Sequence, residues 1–381
     1  MAGDQWTIRN LLTPVTTRLL IGGVNAFDLE EALTRMESVV IRNTGQLEEL
    51  WLSFWNTRAA FYERMAATAG NNGASISAEA LLQQAAACRF AAFLINPASI
   101  EKKQAAYNGY RDAYAASVAF PHVRVTAVDV PLDNQHALAA YLHLPPPGTP
   151  LRGSIAFFSG LGSCKEEMHM LARPLAERGV AVLVPDMPGC GASLFERGVQ
   201  CRVELLEASF AACLRFLKEH AATKKMPAGC GGLCMGGGYA YRAAARNSGY
   251  RYCAVLFPLF IKDVTAARTP QWMMAGEWVA LQTGYTDPRE FEALMGCGEN
   301  EFPSCPFFIA HGRNDNWMGI ERARELYNRV AHDDREMIVV ESEDVPHMQS
   351  SVLHTMPVGE QLHWVKHLFA DWVSRHADGV A

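Results

Sequence analysis

From Val123 onward the chain alternates short apolar runs of strand length with longer stretches of helical periodicity, and no other feature limits its fold so sharply. Strand candidates lie at Ser154–Ser159, Val180–Pro185, Ala228–Leu233, Cys253–Phe257, Pro306–Ala310 and Glu336–Val340. Helical stretches at Lys165–Arg178, Val203–His220, Gly237–Ala245, Gly319–Val330 and Val358–Ser374 fall between or after them. Parallel strands need a crossover, usually a helix, so this alternation points to a mainly parallel sheet with helices on both faces. Two further runs, Val123–Val130 and Ala137–Leu144, can pair ahead of the Pro145-Pro146-Pro147-Gly148 loop. The run Ala228-Gly229-Cys230-Gly231-Gly232 is a poor strand by propensity, and close packing of a helix against it is the expected reason for its glycines.

Residues 1–120 have a different pattern, and we assign them to a helical N-terminal cap domain ahead of a catalytic domain at 121–381. Asp28-Leu29-Glu30-Glu31 has the form of a capping box, and Asn96-Pro97 places a capping side chain before a proline at the first helical position. Between them Leu47, Leu50, Trp51, Phe54, Trp55, Phe61 and Tyr62 recur at helical spacing. Asn71-Asn72-Gly73 ends that helix and Ser77 opens the next. Residues 269–302 are too long for an ordinary connection and carry Trp272, Met273, Met274, Trp278 and Met295. They are expected to form a helical lid over the sheet's carboxyl edge, with Trp272, Met273 and Trp278 facing a substrate chamber.

Composition narrows the partners. The net charge of −6 arises from 34 basic and 40 acidic residues without blocks, which gives no footprint for nucleic acid or an anionic membrane. No apolar run is long enough to span a bilayer, and no secretory leader is legible. Ten cysteines scattered over 381 residues fit reduced thiols in a cytoplasm better than a disulfide framework. The expected partner is a small-molecule substrate, free, carrier-bound or polyketide-derived, with a homodimer left open. No cofactor or metal is called for.

Four motifs carry chemistry. Gly232-Leu233-Cys234-Met235-Gly236 has the G-x-S-x-G form of a nucleophile elbow with cysteine at its centre. Ser159-Gly160-Leu161-Gly162-Ser163 follows the first buried strand, where such folds place one oxyanion-hole donor; the residue after the nucleophile gives the other. The donors are therefore the N–H groups of Leu161 and Met235. His311-Gly312-Arg313-Asn314-Asp315 puts an acid just past a strand end, with His311 better suited to packing than to reacting. Pro346-His347-Met348 puts a histidine after the last strand, ahead of rivals His354, His363 and His367. His363 and His367 stand four apart, but no third metal ligand accompanies them. The order Cys234, Asp315, His347 is that of α/β-hydrolases, and this fold, with its helical N-terminal domain and lid insertion, is the expected one.

The segments Gly160-Leu161-Gly162-Ser163-Cys164-Lys165-Glu166-Glu167 and Asp186-Met187-Pro188-Gly189-Cys190-Gly191 sit alongside the elbow and the His311–Asp315 motif. Together they resemble the family containing 2,6-dihydroxypseudooxynicotine hydrolase and the polyketide-shortening hydrolases. The resemblance extends over the helical N-terminus and implies hydrolysis of a C–C bond beside a carbonyl, in a chamber partly walled by those helices. The family's serine is Cys234 here. A G-x-C-x-G-G box also looks like that of polyhydroxyalkanoate synthases, and dienelactone hydrolases likewise use Cys, His and Asp. Acyl transfer or (thio)ester cleavage through a Cys-linked acyl-enzyme is thus the alternative expectation. A non-catalytic binding protein of this fold would be marked by a lost acid or histidine, and neither is missing.

Overall fold

In a computed structural model, the structure describes residues 16, 18–39, 43–95, 99–160, 162–260, 282, 284, 300–313, 315, 318–340 and 358–378. The chain divides into two compact units, Met1–Val123 with Ser351–Glu360, and Arg124–Ser350 with Gln361–Ala381.

The first unit, besides a helical stretch at residues 18–21, holds α1 (Ala26–Glu37), α2 (Thr44–Asn71), α3 (Ser75–Leu94) and α4 (Ile100–Ser117). The cap of α1 is Asn25, whose side chain accepts from the Phe27 N–H, and not Asp28. Asp28 lies one turn inside, where its carboxylate is taken by the Tyr62 hydroxyl at 2.7 Å and by Arg58 at 3.2 Å. Gly73, at φ +74°, ends the α2 turn, and α3 begins at Ser75, two residues earlier than expected. Residues 96–98, with the proposed Asn96-Pro97 cap, lie outside the described residues, and Ser99 caps α4 by accepting from the Lys102 N–H. The aromatic stripe of α2 is core at Trp51, Phe54 and Trp55, whereas Phe61 is exposed and Tyr62 half-buried. Trp51 and Trp55 are buried edge to face, and the Trp51 Nε1–H donates to the Ala91 carbonyl on α3 at 2.7 Å.

The second unit is built on an eight-stranded sheet of order β1-β2-β4-β3-β5-β6-β7-β8. The strands are β1 (Val125–Pro131), β2 (Ala137–His143), β3 (Gly153–Phe158), β4 (Val180–Pro185), β5 (Ala228–Leu233), β6 (Cys253–Leu256), β7 (Phe307–Gly312) and β8 (Arg335–Val340). Only the pairings of β2, with β1 and with β4, are antiparallel. Between and after the strands lie α5 (His169–Glu177), α6 (Gly191–Phe195), α7 (Val203–Glu219), α8 (Met235–Arg246), α9 (Ile320–Arg329) and α10 (Val358–Ala377).

Alternation along the strands fixes which helix covers which face. Successive side chains point to opposite sides of a sheet. Phe157 meets Phe369 of α10, and the next residue, Phe158, meets Phe210 of α7. Phe307 likewise meets Tyr241 of α8, while Phe308 meets Trp372 of α10. Helices α7 and α8 therefore cover one face and α10 the other. Each fully buried phenylalanine contributes roughly 2–3 kcal/mol of apolar burial. The glycines of β5 have mixed causes. A Cβ at Gly229 would sit 2.0 Å from the Tyr252 ring of the neighbouring chain segment, so helix packing is not its reason. A Cβ at Gly232 would meet the backbone of α8, so there the helix is the reason.

The chain runs from β3 outward to β4, then crosses back to β5 and continues the other way. That reversal opens a crevice at the carboxyl ends of β3 and β5, the place where open α/β sheets bind their ligands.

Candidate active site

Cys234 stands at the reversal. It has φ 55° and ψ −123°, between the end of β5 and the first residue of α8. A non-glycine residue held there costs on the order of 1–3 kcal/mol, so its surroundings must enforce it. They do: the Cys234 N–H donates to the Leu256 carbonyl at 3.0 Å, and its own carbonyl accepts from Gly237, Gly238 and Leu259. The flanking glycines are obligatory for space. A Cβ at Gly232 would lie 2.1 Å from the Gly236 carbonyl oxygen, and one at Gly236 would lie 2.0 Å from that of Phe158. Because this turn caps the helix, α8 starts at Met235 rather than at Gly237.

Met235, 2% exposed, heads a 12-residue helix whose first N–H groups have no partner within the helix. Gly160, at the exit of β3, lies against it: a Cβ there would be 3.0 Å from the Met235 Cβ and 3.6 Å from its nitrogen. Two of the four expected chemical motifs thus adjoin. Leu161 itself lies outside the described residues.

Asp315 emerges from β7, two strands from β5 and at the same carboxyl edge. Its N–H donates to the Gly312 carbonyl at 3.3 Å, and its Oδ1 accepts from the Met318 N–H at 3.1 Å. His311 is buried at the strand end, as its apolar context implies. Its Nε2–H donates to the Met318 carbonyl at 2.7 Å and lies 3.8 Å from Asp315 Oδ2, so it braces the loop that carries the acid. His347 and its rival His354 lie outside the described residues, as do Trp272, Met273 and Trp278 of the expected lid. His363 and His367 are exposed on α10, and among the described residues no group of three His, Cys, Asp or Glu could hold a metal ion.

The thiols separate by exposure. Nine cysteines are free among the described residues, and Cys234 alone of them is not buried. Burial pushes the Cys201 and Cys213 thiols up to about 12, which removes them as nucleophiles near neutrality. Cys234 sits instead at a helix N-terminus, half-buried rather than sealed in the core.

A charge cluster that the sequence marked only through its resemblance lies beside the crevice. The Lys165 ammonium is 2.8 Å from both Glu166 Oε1 and Asp186 Oδ2, and all three residues are buried. Burial alone would lower the Lys165 pKa, but the carboxylates of Asp186 and Glu166 outweigh it and raise it. Burial raises that of Glu166, against the pull of Lys165.

Comparison with known proteins agrees with this architecture. Residues 149–285 match the family model described as serine aminopeptidase, S33, and residues 30–201 match that of the FrsA-like esterases. The chain is 24% identical over 305 residues to 2,6-dihydropseudooxynicotine hydrolase of Paenarthrobacter nicotinovorans, covering 78% of this chain and 77% of that protein. It is 34% identical over 138 residues to the hydrolyase ccsE of Aspergillus clavatus, a match covering 33% of this chain and 31% of that protein's length. The crystal structure of 2,6-dihydroxy-pseudo-oxynicotine hydrolase superposes with a TM-score of 0.74 at 20% identity, over 96% of both chains. Wild-type AbyA5 superposes at 0.56 and 16% identity, over 91% of this chain and 95% of its own. At these identities the solved structures establish the fold.

Proposed function

We propose that this chain, an α/β-hydrolase homologous to 2,6-dihydroxypseudooxynicotine hydrolase, cleaves its substrate by nucleophilic attack of the Cys234 sulfur on a carbonyl carbon. The observation that carries the reading is the strained turn that presents Cys234, the one cysteine among those described that is not buried. In this reading His347 takes the thiol proton, and Asp315 fixes the imidazole tautomer. The N–H groups of Leu161 and Met235 stabilise the tetrahedral oxyanion, each commonly worth roughly 3 kcal/mol.

With a β-dicarbonyl substrate, collapse of the tetrahedral intermediate breaks the C–C bond. The electron pair leaves as an enolate, which takes its proton from the His347 imidazolium. Water activated by His347 then hydrolyses the thioester and releases a carboxylic acid and the free thiol. The likeness to 2,6-dihydropseudooxynicotine hydrolase, through the family it stands for, supports this substrate class, and an aromatic or polyketide-derived compound fits the tryptophan and methionine content of residues 269–302.

A second reading rests on the cysteine itself. A thioester is more reactive toward amines, thiols and carbon nucleophiles than an oxyester, so the acyl group could pass to such an acceptor instead of water. Intact-mass measurement tests both. The protein incubated with candidate esters, thioesters and β-diketones is expected to carry one acyl adduct, mapped to Cys234 and absent from Cys234→Ala. An adduct elsewhere, or turnover that survives Cys234→Ala, would remove the thiol from the mechanism. Faster loss of the adduct to an added amine than to water would move the assignment to acyl transfer.

A further inference from the structure

We infer that Lys165 and Asp186 are positioning residues for the oxyanion side of the site, a buried ion cluster that pins the loop leaving β3 against the N-terminus of α8. The inference rests on Cys234 being the nucleophile.

The loop is held at both ends. At its start Gly160 packs on Met235, and its carbonyl accepts from the Cys190 Sγ at 3.4 Å. The Ser163 N–H closes a turn onto the same carbonyl at 3.2 Å, with Gly162 at φ +78° inside it. At its end the Lys165 N–H donates to Asp186 Oδ1 at 2.6 Å, while the Lys165 ammonium reaches Asp186 Oδ2 and Glu166 Oε1. The Ser163 hydroxyl adds a 2.5 Å bond to Glu167 Oε2.

Asp186 is the common peg. It follows β4, the strand beside β3 on the side away from β5, and it is fully buried. Besides Lys165 it accepts from the Ala192 N–H at 2.8 Å, and its own carbonyl accepts from the Ser193 hydroxyl at 2.7 Å. The carboxylate fits only because residue 191 is glycine: a Cβ there would lie 2.3 Å from it. The loops after β3 and β4 are thus joined through one side chain, at the carboxyl edge next to the nucleophile's strand.

A merely structural link would be cheaper without charge, since buried ion pairs are commonly matched or exceeded in stability by apolar residues of like volume. What charge adds is fixed geometry. An oxyanion donor works only within about 2.7–3.1 Å of the developing charge, and a misplacement of about 1 Å can cost roughly 10²-fold in rate. The ammonium between two carboxylates holds the loop's exit in one place, and the Met235 contact holds its entrance.

Two reactions at the same sulfur separate positioning from general damage. Alkylation by iodoacetamide displaces iodide from a saturated carbon and uses no oxyanion hole. Acylation by p-nitrophenyl acetate passes through a tetrahedral oxyanion. Both rates are read on the Cys234 peptide by mass spectrometry, in the full chain. Lys165→Met is expected to slow acylation by about 10²-fold while alkylation stays within about threefold of wild type. Ser163→Ala, a milder change on the same loop, should slow acylation by about tenfold with alkylation unchanged; it serves where Lys165→Met does not fold. Acylation that survives both substitutions, or an equal fall in the two rates, overturns the inference while leaving Cys234 as nucleophile. A wild type alkylated at Cys234 but acylated elsewhere removes the nucleophile reading, and the inference with it.

Discussion

Both units bury charge, and they bury it in different places. In the helical unit Asp28, 5% exposed, pairs with Arg58 and Tyr62, while Arg58 also reaches Glu31. Burial, and then the Asp28 hydrogen bond, hold the Tyr62 phenol above its ordinary value. Lys103 lies 4.1 Å from the centre of the Phe93 ring and donates to the Ile95 carbonyl at the end of α3. These groups stitch one helix to the next along their lengths. In the sheet unit Lys165 and Glu166 lie instead past the end of β3, the strand beside that of Cys234, and Asp186 past the end of β4, one strand further. Burial of charge by itself therefore does not mark a site; what sets the second cluster apart, and carries the inference drawn above, is its place at the carboxyl edge of the sheet.

If that distinction holds, substitutions at the edge should change rates and those in the helical unit should change stability. The largest effect is expected from Cys234→Ala: turnover falls by about 10⁴-fold or more while the thermal midpoint stays close to wild type, as assay and calorimetry would read. Next comes Cys234→Ser. With a histidine present to activate a hydroxyl, hydrolysis should persist but fall by about 10²-fold. A serine variant with no hydrolysis at all would mark a site tuned for a thiolate and favour acyl transfer.

Arg58→Leu probes the other side of the contrast. It strands the Asp28 carboxylate with only Tyr62, and should cost roughly 3 kcal/mol in chemical denaturation. The kcat/KM of the protein that remains folded should stay within about twofold of wild type. A rate loss at unchanged stability would break the contrast.

The smallest effect concerns pH. His143 is buried and its imidazole is held well below its ordinary range, by burial first and then by His169, whose ring lies 5.5 Å away. His169 titrates at about 4, lowered by desolvation and then by Arg173. Both are bases with lowered folded-state values, so the unfolded chain takes up their protons first. Their stabilisation is complete above the ordinary imidazole value of 6.5 and is lost as pH falls from there toward about 4. Replacing His143 with Phe should flatten the decline of the unfolding midpoint between pH 7 and 5; an unchanged slope would exclude His143 as a contributor.

The parts of this molecule legible in the sequence are those whose causes are local. Gly232 and Gly236 are dictated by backbone contacts within a few residues of Cys234 and within the adjoining strand, so the elbow announces itself as a five-residue pattern. Strand–helix alternation likewise reports the sheet. Long-range partners are not legible. Asp28 has the form of a cap, but its carboxylate is drawn inward by Arg58 and Tyr62 from another helix, and Asn25 takes the cap. Asp186 sits in a glycine-rich segment of familiar form, yet its task depends on Lys165 across a strand and a helix. The bond from His311 to the Met318 carbonyl is hidden for a related reason, because it needs the chain to fold back after Asp315. The short α6 escaped notice because five residues carry too little periodicity.

The exposure that sets Cys234 apart from its eight buried counterparts has an oxidative side. On the proposed reading of Cys234 as nucleophile, an opening that serves a carbonyl substrate also admits hydrogen peroxide, and a thiolate is the form that peroxide attacks. The first product, a sulfenic acid, is recoverable by thiols; the sulfinic acid beyond it is not. A serine at the same turn would have no such ladder to climb. On that reading, sulfur at this turn ties the protein's working lifetime to the peroxide and thiol content of its surroundings, while the eight buried cysteines stay out of reach.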